Sequence, residues 1–518
     1  MAQPLQTHSI TTPGFYGLNT QESSLDLSTG FALNAINCVI DQYGRIGARK
    51  GWATQHTTNA DLGTAAIKAI GQLVVDSGAE YTIVAGNNKL FKLVGNTLTQ
   101  LTYGGGGTAP TITDSNWQIA ALNEVLYLFQ LGHDPLVFDP TVSTTAYRRV
   151  SEKTGYTGTV PNGNIVLSAY GRLWVAETTT EKAVIYWSDV LSGHKWIEGS
   201  TGSIDVTSVW PNGADNITGL ASHNGFLFIF GKNNILVYSG AQDVLSAGVF
   251  KIADSVTGIG CIARDTIQNT GSDIIFLSDT GVRSVLRTVQ EKSAPFRDLS
   301  KNVRNDLMSA VAGEVASTIK SVYSPFESFY LLTFPSLKTV YCFDLKASLE
   351  DGSSRVTTWD SIEPKSFCYL RDRSLLIGKE GYVGKYTGHQ DNGVKYRMIY
   401  FTNHTDLGAP SVTSVLKKLS IVVIGGNNQF VTIKWGYDFK ENYYSQNTKI
   451  PSQGVAEFGI SEYNTVGVEY SDGISLQTLT AYPTGAGKVI QTGYEADIDG
   501  SPLSIQKIEI LAKNGKIL

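Results

Sequence analysis

Short runs of alternating apolar and polar residues fill most of this chain, and turn-forming residues separate one run from the next. Alternation of this kind is typical of β-strands that bury one face. The clearest example is the stretch 67–102. Its predicted strands are residues 67–75, 81–85, 89–94 and 97–101, with a hairpin turn at Gly86, Asn87 and Asn88.

The same hairpin core recurs along the chain at intervals of roughly 40 to 55 residues, which is the period of a propeller blade. The seven cores pair residues 81–85 with 89–94, 125–129 with 136–138, 172–176 with 184–187, 226–230 with 235–238, 273–277 with 282–286, 329–334 with 339–343, and 374–377 with 382–386. A single sheet of this kind leaves both of its apolar faces exposed to water. When several sheets pack around an axis as blades, each face is buried against a neighbouring blade. The sequence therefore predicts an all-β fold, a β-propeller of about seven blades. A row of β-sandwiches is the alternative, although it gives no reason for so regular a period.

Residues 298–319 break the β pattern. Apolar side chains recur there at helical spacing, at Val303, Leu307, Val311 and Val315, and the stretch contains no proline. We therefore expect a short helical insertion between two blades. It serves either as a lid over a blade edge or as a contact with another subunit.

The hairpin period ends near residue 390, and longer alternating strands follow. They are predicted at 416–424, 430–437, 466–470 and 503–511. The chain therefore divides into an N-terminal arm with a β-hairpin (1–60), the propeller (61–390) and an additional C-terminal β domain (391–518). We expect the arm to return to the C-terminal half, where it either completes a blade or joins the second β domain.

Composition narrows the class of protein. The 518 residues include 53 Gly, 25 Tyr and 20 Phe, while only 17% are charged, which favours strands and tight turns over amphipathic helices. A net charge of −5 argues against a protein that grips nucleic acid through its phosphates. The first residues do not form the basic segment and following apolar stretch of a signal peptide. No apolar run approaches the roughly 20 residues needed for a membrane span. We expect a cytosolic product without a membrane span.

The four cysteines are Cys38, Cys261, Cys342 and Cys368. They lie far apart along the chain and form no Cys-x-x-Cys pair, so we expect buried, reduced thiols without bridges.

Segments near both ends of the chain resemble one protein family. The leader contains Gly17-Leu18-Asn19, Leu25-Asp26-Leu27, Ala35-Ile36-Asn37-Cys38, Asp41-Gln42-Tyr43-Gly44-Arg45 and Arg49-Lys50-Gly51-Trp52, and the closing segment is Glu495-Ala496-Asp497-Ile498-Asp499-Gly500-Ser501-Pro502-Leu503-Ser504-Ile505-Gln506. Together these segments resemble the opening and the end of tail nozzle proteins (tail tubular protein B-like) and of related DNA-stabilisation hub proteins of short-tailed bacteriophages, the podoviruses.

The resemblance implies a structural virion protein and not an enzyme. Members of that family form homohexameric propeller rings that extend the portal and adaptor channel, retain the packaged DNA and conduct it during ejection. The implied partners are further copies of the chain, the tail adaptor or portal-proximal protein, tail fibre or needle proteins, and genomic double-stranded DNA that passes without sequence-specific binding. The implied location is the virion tail, assembled in the cytoplasm of the bacterial host. The resemblance supplies no cofactor, no metal and no catalytic residue.

Residues 41–52 supply the candidates for assembly. They are predicted to form a hairpin with Tyr43 and Gly44 at its turn and a basic second strand. The resemblance implies that such segments pack between subunits of a ring. The candidate interface residues are Arg45, Arg49, Lys50 and Trp52. The alternative is a solvated edge strand whose charges prevent aggregation.

Motifs for catalysis or metal binding are weak. Asp279-Thr280-Gly281 matches half of an aspartic protease site, but the sequence has no second copy and the triplet falls on a predicted hairpin turn. Asp497 and Asp499 lack the other ligands of a calcium loop. The competing function is a carbohydrate-binding or glycoside-cleaving tail protein on the same scaffold, because a fold does not determine a function. A glycosidase needs two carboxylates facing each other across the central pocket. The candidates are Asp139, Asp189, Asp279 and Asp344.

Overall fold

Seven blades pack side by side around one axis, and the innermost strand of each blade contacts the innermost strands of its two neighbours. The computed structural model describes residues 5–514, apart from 114–115, 212, 247, 286–297, 408–411, 441 and 452–475. The ring closes because blade 7 also contacts blade 1. This closure confirms the predicted all-β, seven-bladed propeller and excludes a row of β-sandwiches.

Six short strands come from the N-terminal arm. They are β1 (Gln6–Thr11), β2 (Gly17–Leu18), β3 (Phe31–Ile36), β4 (Cys38–Ile40), β5 (Ile46–Ala48) and β6 (Trp52–Thr54).

The blades follow one another along the chain, and each runs from its inner to its outer strand. Blade 1 contains β7 (Ile67–Val74), β8 (Glu80–Gly86), β9 (Lys89–Val94) and β10 (Thr97–Gln100); blade 2 contains β12 (Trp117–Leu122), β13 (Val125–Gln130), β14 (Leu136–Phe138) and β15 (Ala146–Arg149), with β11 (Thr102–Tyr103) along its outer edge. Blade 3 contains β16 (Ile165–Ala169), β17 (Arg172–Ala176), β18 (Val184–Trp187) and β19 (Gly202–Asp205); blade 4 contains β20 (Ile217–His223), β21 (Phe226–Gly231), β22 (Asn234–Ser239) and β23 (Lys251–Thr257).

The remaining blades differ in how their outer strands are supplied. Blade 5 contains β24 (Gln268–Asn269), β25 (Ile274–Ser278) and β26 (Gly281–Ser284); blade 6 contains β27 (Lys320–Ser324), β28 (Phe329–Phe334), β29 (Thr339–Ser348) and β30 (Ser354–Trp359); blade 7 contains β31 (Ser366–Tyr369), β32 (Leu375–Gly378) and β33 (Val383–Tyr386). The fourth strand of blade 7 is β6 from the arm, which pairs antiparallel with β33. The start of the chain therefore completes the last blade.

Every predicted hairpin core is found as the second and third strands of one blade. Residue 286, at the end of the fifth core, lies outside the described residues. Second strands such as β13 and β28 are buried along their whole length. Neighbouring blades cover both of their faces, so these strands read as continuous apolar runs and not as alternating ones.

The predicted helix is present but shorter than residues 298–319. A 3-10 turn at Lys301–Val303 leads into α1 (Arg304–Ala312), and further 3-10 turns lie at Val150–Glu152 and Arg264–Thr266. The α-helix ends at Gly313, a poor helix former, and the chain beyond it is rich in β-branched residues. Leu307 lies buried against blade 5, whereas Val315 is 66% exposed and does not extend the apolar stripe.

The C-terminal β domain is confirmed as a set of longer strands in two sheets. They are β34 (Tyr396–Thr402), β35 (Ser414–Gly425), β36 (Phe430–Tyr437), β37 (Tyr444–Lys449), β38 (Leu476–Ala481), β39 (Ile490–Ile498) and β40 (Leu503–Asn514). One sheet has the order β38-β35-β40, and both β1 and the β5-β4 hairpin lie along the far edge of β40. The predicted strand at 466–470 lies outside the described residues.

The second sheet, β34-β39-β36-β37, runs through β3 and β2 of the arm into β30 of blade 6. One cluster of buried apolar side chains follows it across the boundary, from Phe343 in blade 6 through Phe15 of the arm to Tyr400 and Ile508. The propeller and the second β domain therefore share a core. Within the described parts of the chain, no helix is long and apolar enough to span a membrane.

Trp52 should be the residue on which the closure of blade 7 depends. Its ring is 9% exposed and lies against Gly384, where an added Cβ would come within 2.6 Å of the indole. We expect Trp52→Ala to lower the free energy of unfolding by about 3–5 kcal/mol, because truncating a buried tryptophan leaves a cavity. Urea unfolding followed by tryptophan fluorescence and circular dichroism measures this loss.

Trp52→Phe is the matched control for that substitution, since it keeps an aromatic ring in the same site. It should cost clearly less than Trp52→Ala and should leave the protein free of the aggregation expected when the edge of β33 is uncovered. Equal losses for the two variants would show that the ring does not close the blade.

Candidate functional site

Arg49, just after β5, is completely buried and has a hydrogen-bond partner for each nitrogen of its guanidinium group. Nε donates to Asn37 Oδ1 at 2.9 Å, and Nη1 and Nη2 donate to the two carboxylate oxygens of Asp391 at 2.8 and 2.7 Å. Nη1 also donates to the carbonyl of Lys50, and Nη2 donates to Ser361 Oγ, both at 2.9 Å. A guanidinium with this many charge-assisted contacts is held in one orientation.

The partners of Arg49 come from different parts of the molecule. Ser361 follows blade 6, and Asp391 lies in the linker between blade 7 and the second β domain. Tyr396, the first residue of β34, places its ring 4.1 Å below the guanidinium and donates its hydroxyl to the Arg49 carbonyl. Burial alone would lower the pKa of Arg49, but the Asp391 carboxylate outweighs it and raises that pKa. Arg49 therefore keeps its positive charge at every ordinary pH.

Asn37 forms the second layer of this junction. Its backbone is in the left-handed region (φ +55°), a conformation that asparagine tolerates better than most residues. Its side-chain amide donates to Asp360 Oδ1 at 2.6 Å and to the Arg397 carbonyl at 2.7 Å, while its Oδ1 accepts from Arg49. Asn37 thus ties the arm to both the propeller and the second domain.

The leader and the closing segment meet at this junction. Ile46 and Gly47 of β5 pair with Ile505 and Ser504 of β40. On the other side of the junction, the Gly500 amide donates to the His389 carbonyl at 3.0 Å, and Gln390 donates to Asp499 at 2.6 Å. Segments at opposite ends of the sequence therefore form one structural unit.

The four candidate interface residues fall into two groups. Arg49 and Trp52 are buried within the chain, so their side chains do not reach the surface, and the solvated-edge alternative is wrong for both. Arg45 is half-buried with its guanidinium 4.3 Å from the Tyr43 ring centroid, and Lys50, whose side chain is 39% exposed, pairs with Glu327. Only Arg45 and Lys50 remain available as surface contacts.

Sequence reasoning missed the residues that Arg49 binds. Asp391 sits in an Asp-Asn-Gly triplet that reads as an ordinary turn, and Asp360 and Tyr396 carry no motif of their own. Their contacts join positions more than 300 residues apart, which no local pattern encodes. Gly51 reflects this contact, since an added Cβ would come within 1.8 Å of the Gln390 carbonyl oxygen, but the glycine alone does not identify its neighbour.

A second polar network lies at the centre of the propeller. Arg264 donates from Nη2 to the Trp117 carbonyl at 2.7 Å and from Nη1 to Asn164 Oδ1 at 2.8 Å, while Nε and Nη2 hold the Asp265 carboxylate. Lys320 donates to the same carboxylate at 2.5 Å. Burial would raise the pKa of Asp265, but Arg264 and Lys320 outweigh it and hold that pKa well below its usual range.

These residues stand at the beginnings of inner strands on opposite sides of the ring. Trp117 opens β12 of blade 2, whereas Arg264 precedes β24 of blade 5 and Lys320 opens β27 of blade 6. Lys320 also reaches Asn116, beside blade 2. Hydrogen bonds between blades 2, 5 and 6 cross the axis, so side chains fill this end of the propeller's own tunnel.

The four carboxylates considered for glycoside cleavage lie elsewhere. Asp139 directly follows the third strand of blade 2, and Asp189 lies two residues after the third strand of blade 3. Asp279 is in the hairpin turn of blade 5, and Asp344 is in the third strand of blade 6. None belongs to an inner strand, so they do not face one another across the axis. Asp344 is buried against Arg355, and Asp189 accepts from the Ser200 hydroxyl at 2.6 Å.

The remaining motif residues have structural partners. Asp497 pairs with Lys395 at 2.9 Å, and the part of the chain that the structure describes holds no group of three or more metal-ligating side chains. All four cysteines are unpaired in the structure, and Cys368 alone is not fully buried. Burial raises the pKa of Cys261 and Cys368 to about 12, so their reactive thiolate forms are scarce at neutral pH.

The fold and the junction define a seven-bladed β-propeller that its own N-terminal arm closes and that a two-sheeted β domain extends. No family model matches the sequence, and no curated protein matches it. Similar solved structures include PorZ of the type-IX secretion system of Porphyromonas gingivalis (TM-score 0.37, 11% identity, 64% of this chain and 37% of that one). The extracellular domain of BT4673 from B. thetaiotaomicron is another (TM-score 0.40, 10% identity, 82% of this chain and 59% of that one). A third is the WD40 propeller domain of Doa1 (TM-score 0.37, 11% identity, 65% of this chain and 96% of that one). The chain thus spans 37% and 59% of the first two, and at these TM-scores the likenesses carry no conclusion.

The Arg49–Asp391 pair should be strongly coupled to stability. We expect Arg49→Met or Asp391→Asn alone to cost about 3–5 kcal/mol, because each leaves an uncompensated buried group. The double variant should cost clearly less than the sum of the two single variants. Equilibrium unfolding in urea measures all four corners of this cycle.

The exposed pair of Lys395 and Asp497 is the matched control, since it lies a few residues away with side chains 60% and 48% exposed. Lys395→Met should change stability by no more than the error of the measurement. Additive losses at Arg49 and Asp391 would mean that the buried pair does not act as a unit.

Lys379 should make stability depend on pH. Its ammonium group lies 4.9 Å from the Trp52 ring centroid, and burial lowers its pKa to about 8. An unfolded lysine titrates near pH 10.4, so between about pH 8 and 10.4 the unfolded chain binds a proton that the folded chain has lost. The free energy of unfolding should therefore rise with pH in this window, by up to about 3 kcal/mol relative to Lys379→Met.

Urea midpoints of both proteins at pH 7, 8, 9 and 10 test this. Lys385→Met, on the adjacent strand β33, is the control and should follow the wild-type curve. Parallel curves for wild type and Lys379→Met would contradict the expectation.

Proposed function

We propose that this chain is a structural protein of the tail of a short-tailed bacteriophage. As a nozzle or hub subunit it forms a homohexameric ring that extends the portal and adaptor channel, retains the packaged DNA and conducts it during ejection. One observation carries this proposal: the leader and the closing segment that resemble nozzle and hub proteins meet in space, where β5 pairs with β40 beside Arg49. The resemblance therefore concerns one folded unit and not two scattered motifs.

The path of DNA in this proposal runs between subunits. Arg264 and Lys320 fill one end of the propeller's own tunnel, so a duplex has no route along that axis. A channel must then be built around the axis that the subunits share. Six chains of net charge −5 carry 6 × −5 = −30, and such a ring repels DNA phosphates on average. We expect a polar or acidic lumen, because a basic lining would bind DNA and slow its exit.

The half-buried and exposed basic residues of the leader are the proposed contacts between subunits. Arg45 precedes Arg49 by four residues and Lys50 directly follows it, and both keep part of their surface open to solvent. The proposed partners otherwise remain the adaptor, the fibre or needle proteins, and DNA without sequence specificity. For the carbohydrate-binding or glycoside-cleaving alternative, the four candidate carboxylates, all of them among the described residues, do not face one another across the axis, so they do not support cleavage.

Electron microscopy of the purified protein and of assembled tails tests this proposal. We expect rings with six-fold symmetry at the end of the tail, and we expect the variant Arg45→Ala/Lys50→Ala to lose the ring while keeping its circular dichroism spectrum. Lys89→Ala, on blade 1, is the control and should leave the ring intact. A protein that stays monomeric within assembled tails, or a ring lumen lined continuously by basic residues, would rule the proposal out.

A further inference from the structure

A small pocket lies on the outer half of blade 2, apart from both polar networks. Its volume is about 220 Å³, below the roughly 300 to 1,000 Å³ of pockets that hold drug-sized ligands. Strand β14, strand β15, the loop between them and the following 3-10 turn supply its walls. The polar lining residues are Asp139, Thr141, Ser143, Arg148, Lys153 and Thr154.

Arg148 gives the pocket a positive group without a counter-ion. Its side chain is half-buried in the wall, and among the described residues no carboxylate or carbonyl accepts a hydrogen bond from it. The neighbouring Arg149 differs, because it pairs with Asp134 at 2.9 Å and with Glu152 at 3.6 Å. Gly104 lies beside Arg148, and an added Cβ there would make an ordinary contact with Nε at 3.7 Å. A free guanidinium group in a confined pocket is suited to bidentate binding of a carboxylate.

Asp139 and Lys153 form an ion pair within the same pocket. Asp139 also accepts from the Thr141 amide at 3.0 Å and from the Thr141 hydroxyl at 2.5 Å. Because Arg148 and Lys153 are cationic and only Asp139 is anionic, the lining of the pocket carries one net positive charge. It therefore has a place for one negative charge, together with a carboxylate acceptor and hydroxyl groups for a ligand that also donates hydrogen bonds.

We propose that this pocket binds a monosaccharide that carries a carboxylate, a hexuronate. The carboxylate of the sugar pairs with Arg148, and its hydroxyls donate to Asp139 and exchange hydrogen bonds with Thr141 and Ser143. A neutral hexose lacks the charge that Arg148 needs. Inorganic phosphate has the charge but few donors to offer to Asp139, so neither fits the pocket as well. This inference is independent of the role in a phage tail.

Calorimetric titration of the full chain with glucuronate, glucose and inorganic phosphate is the test. We expect glucuronate to bind and to raise the thermal midpoint, and we expect the other two to bind at least about tenfold more weakly. Arg148→Gln should weaken glucuronate binding by about tenfold or more, since it removes a charge-assisted contact. Arg371→Gln, on an exposed loop of blade 7, is the control and should bind as the wild type does.

A second pair of variants keeps the test independent of any folding defect at Arg148. Val142 lines the mouth of the pocket and is 52% exposed, so Val142→Lys and Val142→Glu should both fold. The lysine should tighten glucuronate binding and the glutamate should weaken it. The proposal is overturned by an absence of glucuronate binding, by equal binding of glucose or phosphate, or by affinities that do not respond to Arg148→Gln and to the charge at position 142.

Discussion

The buried pair of Arg49 and Asp391 is the contact on which the arrangement of this molecule depends. Removing both charges from water costs several kcal/mol per ion, and only near-ideal geometry repays that cost. Here a two-pronged contact, the Asn37 amide oxygen, the Ser361 hydroxyl and the ring of Tyr396 together satisfy the guanidinium. The pair is therefore stable only when arm, propeller and second domain are all in place, and it favours this one arrangement over looser alternatives.

The same junction explains why the two parts of the chain do not form separate bodies. The sheet of blade 6 continues through the arm into the second domain, and a single apolar cluster follows it. A hinge between the parts would have to break main-chain hydrogen bonds and expose buried apolar surface. The axial network has a comparable effect within the propeller, since Arg264 and Lys320 link blades that are not neighbours.

Sequence patterns predicted what depends on local physics. The second and third strands of each blade are joined by short turns and buried by both neighbouring blades. Each hairpin core can therefore be recognised from its own sequence, and the number of cores predicted the number of blades. Helical spacing predicted α1, but the pattern continued past Gly313 because periodicity alone does not detect where the backbone stops favouring a helix.

Contacts between distant positions were not predictable in the same way. The solvated-edge alternative for residues 41–52 failed at Arg49 because its partner lies 342 residues further along the chain. The two alternatives for the arm are both present in the structure. Strand β6 completes blade 7, and strands β1 and β5 pair with β40 of the second β domain. The polar residues around the axis also carry no motif, because blades that lie far apart in the sequence assemble them. The polar residues of the blade 2 pocket lie close together in the sequence but form no recognisable motif either.

Closure of the ring by β6 also sets an order of events during synthesis. Trp52 pairs with Tyr386, which a ribosome adding about 5–20 residues per second makes about 17 to 67 seconds later. Throughout that interval the arm has left the ribosome without the strand of blade 7 that will pair with it, and blade 1 likewise waits for blade 7 as its second neighbour. The nascent chain therefore carries an unpaired β-segment for most of its translation, and this segment is where chaperone binding, or mispairing with the arm of another nascent chain on the same message, would act.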